Sequence, residues 1–454
     1  MSLTDGTIQF TNKGHRDSPV RYASATSPHA SGGSVAERTK AGARAGRVRI
    51  DVQHVATGEP RRRPKNRKAQ IAAVAAEAFS ERGYHSVSID EIATTVGISG
   101  PALYRHFPNK YALFLHAATG LATALEDAIA DDANEVAPDP AERLDQQILA
   151  AIRTTVANRR TAGLYRWESR YLESRDRACI RDTISTVNRR IGATLEELRP
   201  DLGRRDNLQI CVAMLSVIGS ITVHRATLPA RRLESLLLAA CRSVSRAELP
   251  THEEPETASD GGSGIPLSNK REVLLNEAIV LFHARGYHEV SIEEIGQAAG
   301  INASGVYRHF SSKSDLLAAA FHRAADRLAV AVSTALGDSS TPREALASLV
   351  EVYVRLSFAQ SELMSVYFAE IGSLPDAHRT DLRNTQRLNV EEWARLLRES
   401  RPGLSAVECR FLVHAALSLV LDVGRVMRFE PTAANEARVR TLMLATLFGE
   451  TTDA

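Results

Sequence analysis

Cysteine is scarce in this 454-residue chain: the four present, Cys179, Cys211, Cys241 and Cys409, are isolated, with no Cys-x-x-Cys and no metal-ligand spacing. That excludes a disulfide scaffold and a zinc module and fits a reducing compartment. Aromatics supply only 5% of the residues, while 44% are hydrophobic and 24% charged. Ala, Leu, Arg and Glu make up the difference, which favours helices over sheets. Long apolar runs are absent too. Leu412 to Val423, broken by His414 and Asp422, falls short of the roughly 18 to 20 residues a membrane span needs. The N-terminus has no apolar stretch of the kind that directs secretion, so export is not expected. Nucleophile elbows, phosphate loops and metal-ligand runs are missing as well, which leaves an enzyme without visible support and no cofactor to expect.

Charge is nearly balanced overall at +2 but unevenly placed. Residues 1 to 68 hold 14 Lys plus Arg against 5 Asp plus Glu, or +9, so the rest carries +2 − 9 = −7. A basic arm on a mildly acidic body suggests a polyanionic partner, and a merely solvated tail explains it as well. Residues 1 to about 60, rich in Ser, Thr, Gly, Arg and Ala without an apolar period, read as disordered. Leu249 to Leu267, acidic and then Gly-rich, reads as a linker.

The strongest signal is internal repetition. Gly83-Tyr84-His85-Ser86-Val87-Ser88-Ile89 returns as Gly286-Tyr287-His288-Glu289-Val290-Ser291-Ile292, an offset of 286 − 83 = 203. Without gaps, residues 83–110 and 286–313 share 15 identities in 28 positions, including Tyr104-Arg105-His106-Phe107 against Tyr307-Arg308-His309-Phe310. Weaker echoes follow at an offset of 202, Glu168 to Leu172 with Glu370 to Leu374 and Arg199-Pro200 with Arg401-Pro402, so the whole ordered half reads as duplicated.

Within the first copy, Ile71, Ala75, Ala78 and Phe79 recur at helical spacing, predicting an amphipathic helix over about 66 to 82 that ends at Gly83. Ser88-x-x-Glu91 is a capping box for a short second helix ending near Gly97. Ser99 or Gly100 starts a third, with Pro101 in its first turn and Leu103 and Phe107 turned inward. Asn109 caps a long fourth helix from Lys110. Helix, tight turn and helix with a polar and aromatic outer face predict a helix-turn-helix, whose second helix suits a major groove. The helix starts at Ser88 and Lys110 offer free N–H groups to phosphates. Ser291, Glu294, Gly300, Asn302, Tyr307, Arg308, His309 and Lys313 repeat the scheme.

These residues carry a resemblance. A helix ending in Gly-Tyr, then Ser-Ile-x-x-Ile, Gly-Ile, Leu/Val-Tyr-x-His-Phe and a following Lys is similar to the DNA-binding domain of the tetracycline-repressor (TetR) family of bacterial transcriptional regulators, over about 50 residues in each half. The resemblance implies that Tyr104 and Tyr307 contact phosphate, as do Lys110 and Lys313 from the fourth helix. It places Gly100, Pro101 and Ala102, with Ala303, Ser304 and Gly305, toward bases, and His106 and His309 at the groove edge. The family often has Thr at Ala102 and Gly305, so one hydroxyl contact is lost in each copy. Gly305 also costs its helix about 1 kcal/mol relative to Ala, which throws doubt on the second reader. Arg105 and Arg308 read equally as DNA-facing or as a solvated face, and His85 and His288 as structural. Ser99/Asn302, Gly100/Ala303 and Pro101/Ser304 differ between the readers, so their half-sites should differ.

The expected fold is all-α: two tandem TetR-like units, each a three-helix helix-turn-helix domain followed by a helical ligand and dimerisation domain. Boundaries are expected at 1–63 (basic arm), 64–124 (first reader), 125–248 (first regulatory domain), 249–266 (linker), 267–327 (second reader) and 328–454 (second regulatory domain). The expected function is transcriptional regulation in the cytoplasm at the nucleoid: a repressor on double-stranded operator DNA, released by a small-molecule effector, with no membrane partner. The halves are expected to pair through about 206 to 248 and 405 to 449 as a pseudo-dimer, or two chains to form a homodimer. The alternative is a ligand-responsive interaction scaffold with degenerate readers. Tyr165, Trp167, Tyr171, Met214, Tyr353, Phe358, Met364, Tyr367 and Phe368 are candidates either for a ligand cavity or for plain core.

Overall fold

The computed structural model describes residues 67–130, 138–159, 164, 171–251 and 268–449. Every regular element among them is helical, and no helix there is long and apolar enough to cross a membrane. The arm over 1–63, most of the 249–266 linker, Tyr165, Trp167 and Glu168 lie outside the described residues.

The first reader comprises α1 (Arg67–Arg82), α2 (Ile89–Val96), α3 (Gly100–Tyr104) and the start of α4 (Lys110–Ala128). The rest of the first half, the expected regulatory part, continues with α5 (Pro140–Ala157), α6 (Ser174–Leu198), α7 (Arg204–Gly219) and α8 (Ala230–Ser245). The second copy runs α9 (Lys270–Arg285), α10 (Ile292–Ala298), α11 (Ala303–Tyr307) and α12 (Lys313–Gly337), then α13 (Pro342–Ala359), α14 (Ser361–Glu370), α15 (Asp376–Ser400), α16 (Ala406–Val426) and α17 (Ala433–Phe448).

Local chemistry sets these boundaries. α1 stops at Gly83 and α9 at Gly286, which hold φ of +80° and +89°, a region costly for a residue with a Cβ. α2 and α10 start in capping boxes. Glu91 N–H donates to Ser88 Oγ and Ser88 N–H to Glu91 Oε2, at 3.2 and 2.8 Å, and the Ser291/Glu294 box has the same two lengths.

Three apolar cores result. Ile71, Phe79, Ile92, Leu103, Leu113 and Phe114 form the first reader's core, which Leu172 and Ile180 of the first regulatory part extend. Leu274, Phe282, Ile295, Val306 and Phe321 form the second, extended by Leu363, Val366 and Leu382. The third belongs to both halves at once, with Met214, Val217 and Val244 packed among the same apolar residues as Phe411, Leu419, Val439 and Met443. Fully burying an aliphatic or phenyl side chain contributes about 1.5–3 kcal/mol, so this shared core is a large part of what holds the halves together.

Polar contacts across that core obey an approximate two-fold rule. Arg438 of α17 donates to Asp206 of α7, and Arg232 of α8 donates to Glu408 of α16. Asp206 and Glu408 stand at equivalent places, since 408 − 206 = 202. The arginines are one helical turn out of step, since 438 − 232 = 206, so the two pairs join equivalent helices without an exact exchange of equivalent residues. Other contacts break the rule. Ser216 Oγ donates to Asp422 at 2.7 Å, and His224 stacks on His414 at 4.3 Å. Burial pushes His224 down to about 2 and His414 to about 4, so both rings stay uncharged at neutral pH.

Candidate DNA-reading sites

Each reader exposes a short helix end. Leu103 and Phe107 turn inward, as do Val306 and Phe310, and this leaves Tyr104 51% and Tyr307 53% exposed. Exposure of a tyrosine at this level, twice at equivalent places, is the reverse of packing beside the phenylalanine. Arg105, His106, Arg308 and His309 are exposed with them. Lys68 lies over the Phe107 ring and Arg271 over the Phe310 ring, at 5.4 and 4.3 Å, so a cation sits behind each tyrosine helix.

The starts of α3 and α11, expected to face bases, differ between copies. Ser99 caps α3 weakly, with Ala102 N–H 3.4 Å from its Oγ. Asn302 caps α11 tightly: its Oδ1 accepts from Gly305 N–H at 2.8 Å and from Ser304 Oγ at 2.9 Å. Gly305 has a local reason here. A Cβ on it would lie 3.2 Å from Asn302 Oδ1 and 3.3 Å from Ile301 Cδ1, so the glycine admits the cap that closes over it. Gly100 is likewise crowded, because a Cβ would come 2.7 Å from Asp90 Oδ1. Pro101 is exposed, while Ala102 and Ala303 are half-buried.

The two lysines point back into their own readers. Lys313 Nζ donates to the Tyr287 and Val290 carbonyls at 2.8 and 2.7 Å and lies 4.5 Å from the Tyr287 ring centre. Lys110 Nζ makes a looser approach, 3.5 Å from the His85 carbonyl and 4.4 Å from the Tyr84 ring centre. Desolvation lowers both pKa values. Ser88 and Ser291 are engaged in their capping boxes.

Several links escaped the sequence reading. Glu370 is fully buried and accepts from Tyr287 N–H at 3.0 Å and Ser373 Oγ at 2.8 Å, tying the second reader to the end of α14. Its recurrence with Glu168 is visible in the sequence, where a helix-face charge pair explains it as well. The first reader is tied differently: Tyr111 Oη donates to Asp176 at 2.6 Å and accepts from Glu173 N–H at 2.8 Å. Burial, then the Asp176 bond, pushes Tyr111 up to about 12. Position 314, equivalent to 111, is Ser, so no sequence pattern marks this tie. Of the ligand-cavity candidates, Met214, Tyr353 and Phe358 are buried, Tyr353 packing edge-on against Trp393 and Phe358 against Phe429. Tyr367 packs against Phe321, and Tyr171 stacks on Tyr84.

Where the copies meet, a cleft of about 580 Å³ opens between the Gly-Tyr-His turns. The rings of His85 and His288 touch there, with centres 4.9 Å apart.

Residues 71–117 and 274–320 both match the family of bacterial regulatory proteins, tetR family. The chain is 34% identical over 110 residues to the HTH-type transcriptional activator FasR of Mycolicibacterium smegmatis, covering 24% of this chain and 50% of FasR. It is 28% identical over 137 residues to the nucleoid occlusion factor SlmA of Vibrio atlanticus, covering 30% of this chain and 68% of SlmA. It thus spans half the length of the first relative and about two thirds of the second. A solved TetR-family regulator from Bordetella parapertussis 12822 is 22% identical with a TM-score of 0.36, covering 40% of this chain and 96% of that one.

Proposed function

We propose that this chain, a tandem of two TetR-type helix-turn-helix units, is a sequence-specific DNA-binding transcriptional regulator that places both readers on one operator as an intramolecular pseudo-dimer. The observation that carries the reading is the pair of half-exposed tyrosines, Tyr104 and Tyr307, on equivalent short helices of two copies joined by a shared core. In this reading Tyr104, Tyr307, Lys110 and Lys313 address phosphates. The starts of α3 and α11 face bases, and because Ser99-Gly100-Pro101 differs from Asn302-Ala303-Ser304 the half-sites are unequal.

The regulator acts without catalysis, in the cytoplasm at the nucleoid. Repression by occupying a promoter, relieved by a small-molecule effector, is the form we assign. FasR is named an activator, so the position of the operator relative to the promoter decides the sign in this chain. The scaffold alternative leans on Gly305 and on the long N-terminal arm; the glycine has its own explanation in the Asn302 cap, and the arm lies outside the described residues.

Footprinting of the full chain against a genomic fragment pool at stated salt tests the reading. One short imperfect inverted repeat is expected, with half-site centres about 34–36 Å, one helical turn, or a multiple apart. Tyr104→Phe and Tyr307→Phe should each weaken binding about tenfold, the worth of one charge-assisted hydrogen bond. Two separated repeats would mean that duplicated chains dimerise again. Protection of no fragment would overturn the reading.

A further inference from the structure

The two readers have separate cores, and between them the structure puts one residue type in contact with itself. His85 and His288 occupy equivalent places, each following the Gly-Tyr turn that ends its first helix. Each ring lies against its neighbouring tyrosine, with centres 5.2 Å apart in both copies. The two imidazoles then meet each other across the cleft at 4.9 Å, tilted by 49°. We propose that His85 and His288 are positioning residues that hold the two readers at one mutual spacing while uncharged, and that protonating both releases that spacing.

The proposal rests on the reading of the chain as a two-reader DNA-binding protein. The turns are built to transmit a push. Lys110 reaches the His85 carbonyl, and Lys313 bonds the Tyr287 and Val290 carbonyls on either side of His288, so each turn moves with its fourth helix. Charged groups of both signs surround the pair. Facing His85 are Lys110, the Tyr171 ring edge at 4.7 Å, and the more distant carboxylates of Glu289 and Glu370. Facing His288 are Tyr287 and Ser373, whose Oγ is 3.4 Å from Nε2. Glu370 already accepts from Tyr287 N–H and Ser373 Oγ, and Lys313 lies in its field. The walls add Arg177, Arg285, Arg425 and His283. Arg285 pairs with Glu294, and Arg425 lies 3.9 Å from Asp422. Like charges brought this close repel, and both rings are exposed to the cleft, so protons reach them. The other histidine pair between the halves, His224 with His414, is buried in the shared core and stays neutral, so it cannot respond in this way. Burial first, then His288 and Lys110, lower His85, which puts the transition on the acid side of an ordinary histidine.

Distance measurement without DNA comes first. Spin labels go on the equivalent exposed positions Thr94→Cys and Gln297→Cys, with the exposed Cys179 replaced by Ser. A single narrow distance is expected at about pH 7.5 and a longer, broader one at about pH 5.5. His85→Phe and His288→Phe, which keep a ring but no charge, should hold the narrow distance at both. An unchanged wild-type distance, or Phe variants that broaden as the wild type does, would overturn the proposal. The second readout is the ratio of affinities for the best operator and for one lengthened by a base pair, because general charge effects cancel in a ratio. It should fall at least roughly tenfold between those pH values in the wild type and stay flat in the Phe variants. A distance change with no operator bound at either pH would leave the hinge standing and sink the DNA reading instead.

Discussion

The two copies keep the same reader and attach it differently. Both show a capping box, an inward Leu/Val-Phe pair and an exposed tyrosine. Yet one is tied to its regulatory part by a tyrosine hydroxyl on Asp176 and the other by a buried glutamate on a backbone N–H. The two ion pairs across the shared core differ in the same fashion. Arg438 is 1% exposed against a half-open Asp206, whereas Arg232 is 56% exposed against a buried Glu408. Duplication within one chain lets each half change its ties without the other having to follow.

The comparison breaks most easily at the ion pairs. Arg438 also donates to Gln209 Oε1 and the Pro250 carbonyl, so Arg438→Ala strands several acceptors and should cost about 3 kcal/mol or more in urea unfolding. Glu408 keeps its N-cap bonds from Ser405 N–H and Oγ whatever happens to Arg232. Arg232→Ala should therefore cost about 1 kcal/mol or less. Equal losses would mean that burial does not separate the two pairs.

A smaller effect sharpens the contrast between the lysines. The salt dependence of operator binding should lose about one unit of slope in Lys110→Met. In Lys313→Met, whose ammonium is held by two carbonyls, the loss should be less. A larger change from Lys313 than from Lys110 would reverse this ranking of the two readers.

The smallest effect is an acid response. Glu294 is depressed to about 2 by the Ser291 N–H first and then by Arg285, whose Nη1 lies 2.7 Å away. Glu91 is lowered by the same kinds of bond, with Arg82 farther off at 3.1 Å. A carboxylate depressed in the folded state stabilises fully above its unfolded value of 4.5, and that stabilisation is lost as pH falls toward the folded value. Melting temperatures followed from about pH 6 to pH 3 should decline less steeply in Glu294→Gln than in the wild type, with a lesser flattening in Glu91→Gln. Identical curves for both variants would show that the closer arginine makes no difference.

The readers were legible because their information is local. Capping boxes, helix-ending glycines and the inward Leu103 and Phe107 are all set by neighbours within four residues, and the repetition doubled the signal. The ties were not legible. Glu370 lies 83 residues from the N–H it accepts and Arg438 lies 232 from Asp206, distances at which no period or spacing operates. Gly305 was legible as a weakness only, since its reason is a side chain folded back from Asn302. The contact of His85 with His288 needs two domains placed side by side, and nothing in either turn announces it.

The core shared by α7, α8, α16 and α17 has a consequence for dosage. A regulator that must find a second subunit loses operator occupancy steeply when its level drops, because the pairing itself is diluted. In the proposed pseudo-dimer the partner is always present on the same chain, at a concentration set by the tether and independent of expression. Occupancy should then rise in simple proportion to the number of molecules at low levels. A cell holding only a few copies would respond gradually, with no threshold.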